Sequence, residues 1–410
     1  MFTREYYEAA ASRLRDDGIL VQWVQGYEVD GQTMRTVYAT LGAVFPFVET
    51  WEAEPGDVLL VASKRALDHS AMRLRPRIAE EPFKTALAVA WRTTDLEGFL
   101  GHYVAGPAIA RRVGEEEPEV NSDDLNRIEF GFARSLGSGN DGFSIFDVRA
   151  IARARNAHRP DGVGEIDWEA VDEHAMALGA ADGAGVRSAA SPPPARAHRM
   201  AALAAAVHGN TGGAVAEWRA QPDEPVGSIE TALLGTALAD LGDDAAPHYI
   251  ERMRASQPVE ADLALGRFLF RRGENEAAWT AFEAAYVRHR SDPWPLPLLV
   301  TDSFGVVDAL IAREPRLAQR IWTTLHEPFI LRLCDETRMS VAVTAANRLP
   351  AGEECASAYQ AFEPNPSWTE EFLVSRARCY SAALHPWAGR AEEDVLAWRR
   401  LRPPMFSPGL

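Results

Sequence analysis

Cysteine is scarce in this sequence, which has three cysteines among 410 residues. Cys334, Cys355 and Cys379 are odd in number and far apart, so their spacing fits neither a disulfide framework nor a zinc site. We therefore expect all three to be core thiols in a protein of a reducing compartment.

Positive charge is also in short supply. The 42 lysines and arginines stand against 59 aspartates and glutamates, which gives a formal net charge of −17. A nucleic-acid footprint needs clustered lysine and arginine to neutralise phosphates, and the arginines here are interleaved with acids. This balance excludes a large nucleic-acid interface and permits a cationic partner.

Long apolar runs are absent as well. The sequence has no run of about 18 apolar residues, and no basic segment followed by an apolar one opens it. It therefore predicts neither a membrane span nor a secretory signal, and we expect a cytoplasmic protein.

The common catalytic motifs are missing. The ten histidines show no His-Glu-x-x-His spacing, and neither a Gly-x-Ser-x-Gly elbow nor a Walker loop occurs. Residues 137–142 do spell Gly-x-Gly-x-x-Gly, but Asp141 would face the pyrophosphate, so we interpret them as an ordinary loop. Motifs alone therefore identify no metal ligand and no catalytic residue.

The clearest pattern lies in residues 2–64. Thr3 caps a predicted helix, and residues 19–24 form an apolar run typical of a strand buried on both faces of a parallel sheet. Asp30 caps a second predicted helix, which Pro46 ends. Residues 47–51 and 58–62 then predict two short strands, and the brief connection between them predicts an antiparallel hairpin.

Five short segments of this region match one family in order and spacing. They are Phe-Thr-Arg-Glu-Tyr-Tyr-Glu at 2–8, Gly-Ile-Leu-Val-Gln-Trp at 18–23, Gly-Tyr-Glu-Val-Asp at 26–30, Val-Phe-Pro at 44–46 and Gly-Asp-Val-Leu-Leu-Val-Ala-Ser at 56–63. They resemble the C-terminal half of spermidine synthase-like proteins, which have the fold of class I S-adenosylmethionine-dependent methyltransferases. The resemblance continues more loosely through Asn-Ser-Asp-Asp at 121–124 and Ile-Glu-Phe at 128–130, and covers roughly the first third of the chain.

The resemblance implies a Rossmann-like sheet whose glycine-rich loop, ribose-binding acid and catalytic aspartate all precede the matching segments. We therefore expect no cofactor site in this chain. S-adenosylmethionine or its decarboxylated form is suggested as a cofactor by the resemblance alone. The part of the family's active site that this sequence does contain is the loop after the first strand. The resemblance therefore places Gln22, Gln25, Tyr27 and Glu28 near a substrate pocket. Alternatively, Tyr27 and Glu28 merely shape the loop that leads into the next helix.

Residues 121–124 are a second candidate site. Asp123 and Asp124 could hold a cationic substrate with adjacent carboxylates, or the side chains of this segment could cap the next element, which is the simpler interpretation. Residues 127–133 alternate enough to predict a further strand.

The second half of the sequence predicts helices that repeat. It follows a segment rich in alanine, glycine, serine and proline at 179–194, and Gly209, Gly242 and Gly273 each close a helix at separations near the tetratricopeptide period. We predict an α/β part followed by an all-α solenoid. The predicted limits are 1–135 for a partial Rossmann-like domain, 136–190 for a helical linker region, 191–402 for tetratricopeptide-like repeats and 403–410 for a tail.

Two functions remain open at this point. The first is a spermidine synthase-like protein of polyamine biosynthesis, which would transfer an aminopropyl group from decarboxylated S-adenosylmethionine to an amine, and would be inactive without its cofactor half. The second is a non-catalytic scaffold whose helical repeats bind a protein partner. Two further partners are the missing N-terminal half and a second copy, either of which could pair with the apolar strand at residues 19–24.

Overall fold

The computed structural model describes residues 2–26, 29–54, 56–116, 119–129, 131, 143–181 and 194–401. The chain divides into two compact units, Met1–Glu230 and Thr231–Leu410. The first unit contains a β-sheet, and the described part of the second unit is entirely helical. The all-α character predicted for the second half is therefore confirmed, whereas the solenoid, the Rossmann-like sheet and the finer domain limits stay predictions.

The first unit is built on a sheet with four strands in its described part. These are β1 (Ile19–Gln25), β2 (Phe47–Glu52), β3 (Asp57–Ser63) and β4 (Tyr103–Ala105). Their order is β1-β3-β2-β4, and every neighbouring pair is antiparallel. The predicted hairpin is confirmed, because β2 and β3 pair from Phe47 opposite Ser63 to Glu52 opposite Val58.

Strand β1 differs from its prediction. The apolar run predicts burial on both faces of a parallel sheet, but β1 lies at the edge of the described sheet and pairs antiparallel with β3. Ile19, Val21 and Trp23 are 48% to 49% exposed, whereas Val24 is 1% exposed. An apolar run shows that the side chains are apolar, but it does not show which elements cover them. In the described sheet, β1 has a neighbouring strand on one side alone.

Helices pack on both faces of the sheet. The described helices of the first unit are α1 (Arg4–Arg13), α2 (Gly31–Gly42), α3 (Ala71–Ala79), α4 (Phe83–Ala86), α5 (Leu96–Gly101), α6 (Pro107–Glu116), α7 (Ile145–Ala154), α8 (Trp168–Ala181), α9 (Pro194–Val207) and α10 (Thr211–Arg219). On one face, α1 and α2 cover Val58 and Leu60 of β3. On the other face, α3, α5 and α8 pack with Leu59 and Val61. The two faces of β3 therefore belong to two separate hydrophobic clusters.

The predicted helix caps of α1 and α2 are confirmed. Thr3 accepts a hydrogen bond from the backbone N–H of Tyr6, and Asp30 accepts one from that of Thr33. These contacts satisfy backbone donors that a helix leaves free at its first turn.

In the described part of residues 103–133 one predicted strand, at 127–133, is wrong, and one strand was not predicted. Residues 127–129 are helical, not extended, because the Asn121 side-chain oxygen accepts hydrogen bonds from the backbone N–H groups of Arg127 and Ile128 and starts a helical turn there. Strand β4 escaped prediction because three residues are too few to show alternation.

The described helices of the second unit follow one another without a strand. They are α11 (Gly227–Leu241), which contains the limit between the units, α12 (Ala246–Arg254), α13 (Pro258–Arg271), α14 (Asn275–His289), α15 (Pro297–Arg313), α16 (Ala318–His326), α17 (Asp335–Ala346), α18 (Glu353–Gln360), α19 (Glu370–Ala382) and α20 (Ala388–Leu401). Gly242 and Gly273 follow helices α11 and α13 with φ of +67° and +81°, a conformation that favours glycine. Among the described helices, none combines the length and the apolar character needed to cross a membrane.

Two of the three cysteines form a disulfide, Cys355–Cys379, and Cys334 is free and buried. The expectation of three free thiols is therefore wrong for the bonded pair. The two cysteines are 24 residues apart, yet the packing of α18 on α19 brings their Cα atoms to 5.5 Å, a distance that suits a disulfide. Sequence spacing does not show which helices become neighbours.

Candidate functional site

The described part of the first unit contains a groove of about 550 Å³. Its apolar floor is the face of the sheet formed by Ile19 and Val21 of β1 and by Leu59 and Val61 of β3. Because β1 is the edge strand, the groove lies where the described sheet ends. A cavity of this size can enclose a small organic molecule.

Aromatic side chains from three elements line the groove. They are Trp51 at the end of β2, Trp91 from the helical turn after α4, and Phe99 from α5. The ring of Trp51 lies 5.1 Å from that of Phe99 and 6.4 Å from that of Trp91, centroid to centroid. Aromatic faces carry a partial negative charge, so this wall suits an apolar molecule or an organic cation.

Two of the lining residues, Trp51 and His69, share a buried carboxyl group. Glu49 of β2 is 4% exposed, and its Oε1 lies 2.8 Å from Nε2 of His69. Its Oε2 accepts a hydrogen bond from Nε1 of Trp51 at 3.2 Å. Glu49 therefore places a carboxylate next to the groove.

Among the described residues, neither lysine nor arginine pairs with this carboxylate, and its described partner is the imidazole of His69, which carries a charge only when protonated. In the neutral tautomer that donates from Nε2 to Glu49, Nδ1 of His69 is a hydrogen-bond acceptor. Burial and, as the second cause, the charge of Glu49 raise the pKa of Tyr103, so its hydroxyl group stays protonated. The groove thus combines aromatic faces, one acceptor nitrogen and an adjacent negative charge.

The rim of the groove carries ion pairs that are open to solvent. Asp16 pairs with Arg65 at 2.9 Å, and Asp68 pairs with Arg73 at 2.6 Å. Exposed pairs of this kind contribute little to stability, and each cancels its own charge. The rim carboxylates are thus solvated and paired with arginine, whereas the adjacent carboxylate of Glu49 is buried.

The side chain of His102 supports the aromatic wall from behind. Its ring stacks on Trp91 at 4.1 Å, and its Nδ1 donates a hydrogen bond to the carbonyl oxygen of Glu52 at 2.8 Å. Burial lowers the pKa of His102 from 6.5 to about 4. His102 is thus a neutral structural residue near pH 7.

We expect the first unit to lose stability in mild acid. The unfolded chain takes up a proton on His102 below pH 6.5, and the folded chain does so near pH 4. This contribution is complete above pH 6.5 and is lost as the pH falls through this interval, by roughly 2 to 3 kcal/mol between pH 7 and pH 4.5. Hydrogen exchange of the β2 amides at the two pH values measures the loss, and His102→Gln should reduce it.

The described residues among those predicted from the sequence do not line this groove. Gln22 lies on the opposite face of β1, where its side-chain oxygen accepts a hydrogen bond from the Tyr7 hydroxyl at 3.1 Å. Gln25 is partly buried at the end of β1, and Tyr27 and Glu28 lie outside the described residues.

Asp123 and Asp124 are exposed in the segment that follows α6. Asn121 in this segment is fully buried, and its side chain caps the helical turn at Arg127 and Ile128. This geometry favours the capping interpretation for the segment, and substrate binding by Asp123 and Asp124 stays a prediction.

Sequence reasoning did not single out Glu49, Trp51, His69 or Trp91. One signal was present, because Glu49 stands inside the strand Phe-Val-Glu-Thr-Trp-Glu, and a carboxylate inside a core strand requires a partner. That partner, His69, is 20 residues away and is brought to Glu49 by the turn between β3 and α3. Chain connectivity alone does not reveal such a contact.

The described residues contain no group of three histidine, cysteine, aspartate or glutamate side chains placed to hold a metal ion. Comparison with protein families, with curated proteins and with solved structures finds no match to this chain.

Proposed function

We propose that the chain is a spermidine synthase-like protein whose groove binds an alkylammonium ligand, and that it does not transfer an aminopropyl group by itself. The observation that carries this proposal is the buried carboxylate of Glu49, whose described hydrogen-bond donors are an imidazole and an indole. A protonated amine would supply a positive charge that the indole cannot carry and that the imidazole lacks in its neutral form. The amine substrate class also agrees with the resemblance of residues 2–64.

The walls of the groove suit the rest of such a ligand. An ammonium group over the faces of Trp51 or Trp91 gains a cation–π attraction of about 0.5 to 2 kcal/mol, and the alkyl chain can lie on Leu59 and Val61. The net charge of −17 raises the local concentration of any cation. The cation–π attraction and the negative net charge both favour an amine over a neutral molecule of the same shape.

A titration of the full chain with 1,4-diaminobutane at low ionic strength tests the proposal. Glu49→Gln keeps the shape of the side chain and removes its charge, so we expect at least ~10-fold weaker binding, which corresponds to about 1.4 kcal/mol. Isothermal titration calorimetry measures both affinities. Butane-1,4-diol, which has the same length and no charge, should bind far more weakly than the diamine.

The rim provides a matched control. Asp68→Asn also removes a carboxylate of the groove, but Asp68 is exposed and already paired with Arg73, so we expect less than a ~2-fold change. Equal binding of diol and diamine, or an unchanged affinity of Glu49→Gln, would contradict the proposal. S-adenosylmethionine serves as a further comparator, and micromolar one-to-one binding of it would place a cofactor site in this chain.

A second proposal concerns the second unit, in which the loop before α17 exposes apolar side chains. Ile330, Leu331 and Leu333 are 50%, 42% and 75% exposed. Exposed apolar clusters often mark protein-binding surfaces. This observation supports the alternative that the helices act as a scaffold for a protein partner, and that function does not require the groove.

A further inference from the structure

Among the described residues, strand β1 presents an open edge and an exposed apolar face side by side. The strand contains seven residues, none of them charged and none proline, and it pairs with β3 in continuous register from Ile19 to Gln25. Natural edge strands usually carry a lysine, a proline or a bulge that prevents pairing with another chain. In its described environment β1 has none of these protections.

We propose that two copies of this chain pair through β1, antiparallel, about a twofold axis at Gln22. In this register the full length of the strand is paired, with Leu20 opposite Val24 and Val21 opposite Trp23. Gln22 lies opposite Gln22 of the second copy. Its Oε1 accepts from Tyr7 and its Nε2 donates to the carbonyl oxygen of Trp23, and each atom keeps a second hydrogen-bonding position for the amide of the other copy. Every pair between Leu20 and Val24 is therefore apolar with apolar or amide with amide, and a pair of aromatic and β-branched side chains is favourable.

The pairing would complete the groove. Residues opposite each other in a sheet share one face, so Trp23 of the second copy would lie beside Val21, on the groove floor. That ring would extend the aromatic wall formed by Trp51 and Trp91. Each copy would do the same for the other, which gives two extended grooves per dimer. The pairing itself does not depend on the proposal that the groove binds an amine.

The charge of the chain helps to identify the occupant of the edge. A strand without charges offers nothing to select a partner of opposite charge, whereas its own sequence is complementary to itself. Two copies that each carry −17 repel at long range, so added salt should strengthen their association. A basic partner would show the opposite response, because salt would screen its attraction.

Sedimentation equilibrium of the full chain tests the pairing. We expect a monomer of 45.0 kDa in equilibrium with a species of twice that mass, and a smaller dissociation constant at high salt. Val21→Lys should raise the dissociation constant at least ~30-fold, because a lysine on an edge strand opposes pairing with another chain and its ammonium group would lose water at the new interface. The matched control is Ile151→Lys in α7, since Ile151 and Val21 are 49% and 48% exposed. It should leave association unchanged.

Two further measurements address folding and register. Hydrogen exchange should show backbone protection in Leu20 to Val24 that rises with protein concentration in the wild type and is lost in Val21→Lys, while β2 stays protected in both. Under mild oxidation Gln22→Cys should form a cross-linked dimer, whereas Ile151→Cys should not. A monomer at every concentration up to about 100 μM, equal weakening by both lysine variants, or failure of Gln22→Cys to cross-link would overturn the proposal.

Discussion

Arg376→Met should remove roughly 3 to 5 kcal/mol from the free energy of unfolding of the second unit. Arg376 of α19 has a fully buried side chain. Its Nε donates to Glu363 Oε1 at 2.7 Å, and its Nη1 donates to Asp394 Oδ2 of α20 at 2.8 Å. Removal of the guanidinium would leave the buried carboxylate of Glu363 with the hydroxyl of Tyr380, at 3.0 Å, as its described donor.

The size of this effect follows from desolvation. A buried ion pair contributes little to the net free energy of unfolding. The loss of one partner, however, leaves the other charge in an environment that solvates it poorly. Methionine fills much of the volume of the arginine side chain. The expected loss of stability therefore comes more from the removed charge than from a cavity. The free energy of unfolding from urea titrations, followed by far-ultraviolet circular dichroism, measures it.

The same pair of helices offers a matched control. Arg399 of α20 pairs with Glu370 of α19 at 2.9 Å, and its side chain is 55% exposed. Arg399→Met also deletes an arginine that joins these two helices, yet it should cost less than about 1 kcal/mol because water solvates the carboxylate that remains. Similar losses for the two variants would show that burial does not control the effect.

Local features of the fold could be predicted from the sequence, and non-local ones could not. The caps at Thr3 and Asp30 depend on backbone groups within a few residues, and the hairpin of β2 and β3 depends on the short turn between them. Each was predicted, and each is present. The exposure of β1 depends on which elements pack over it, and its apolar sequence does not predict those elements.

The candidate site shows the same division. Trp51, Trp91 and Phe99 come from three elements, and no spacing in the sequence predicts that their rings meet. Glu49 could have been recognised as unusual from its own strand, but the contact with His69 depends on how the chain turns after β3. Gln22 was placed near a pocket by resemblance, and the groove lies on the other face of the same strand.

Reduction of the disulfide should lower the stability of the second unit by about 3 kcal/mol. The bridge joins Cys355 of α18 to Cys379 of α19 and closes a loop with a sequence separation of 24 residues. Opening a loop of this size restores chain entropy to the unfolded state, which accounts for most of the expected loss. Urea titrations with and without reductant measure it, and a Cys355→Ala, Cys379→Ala double variant should be insensitive to reductant.

A count of free thiols distinguishes the disulfide seen in the structure from the three free thiols that the sequence predicts. The scarcity of cysteine predicts a reducing compartment and three free thiols, whereas the structure contains one free thiol, at Cys334. Alkylation of the denatured protein, purified without reductant and analysed by mass spectrometry, should therefore label one cysteine before reduction and three after it. Three labelled cysteines before reduction, or equal urea midpoints with and without reductant, would contradict a stabilising bridge. In either case α18 and α19 should still pack together, because Tyr359 and Tyr380 are buried in the same hydrophobic cluster as the two cysteines.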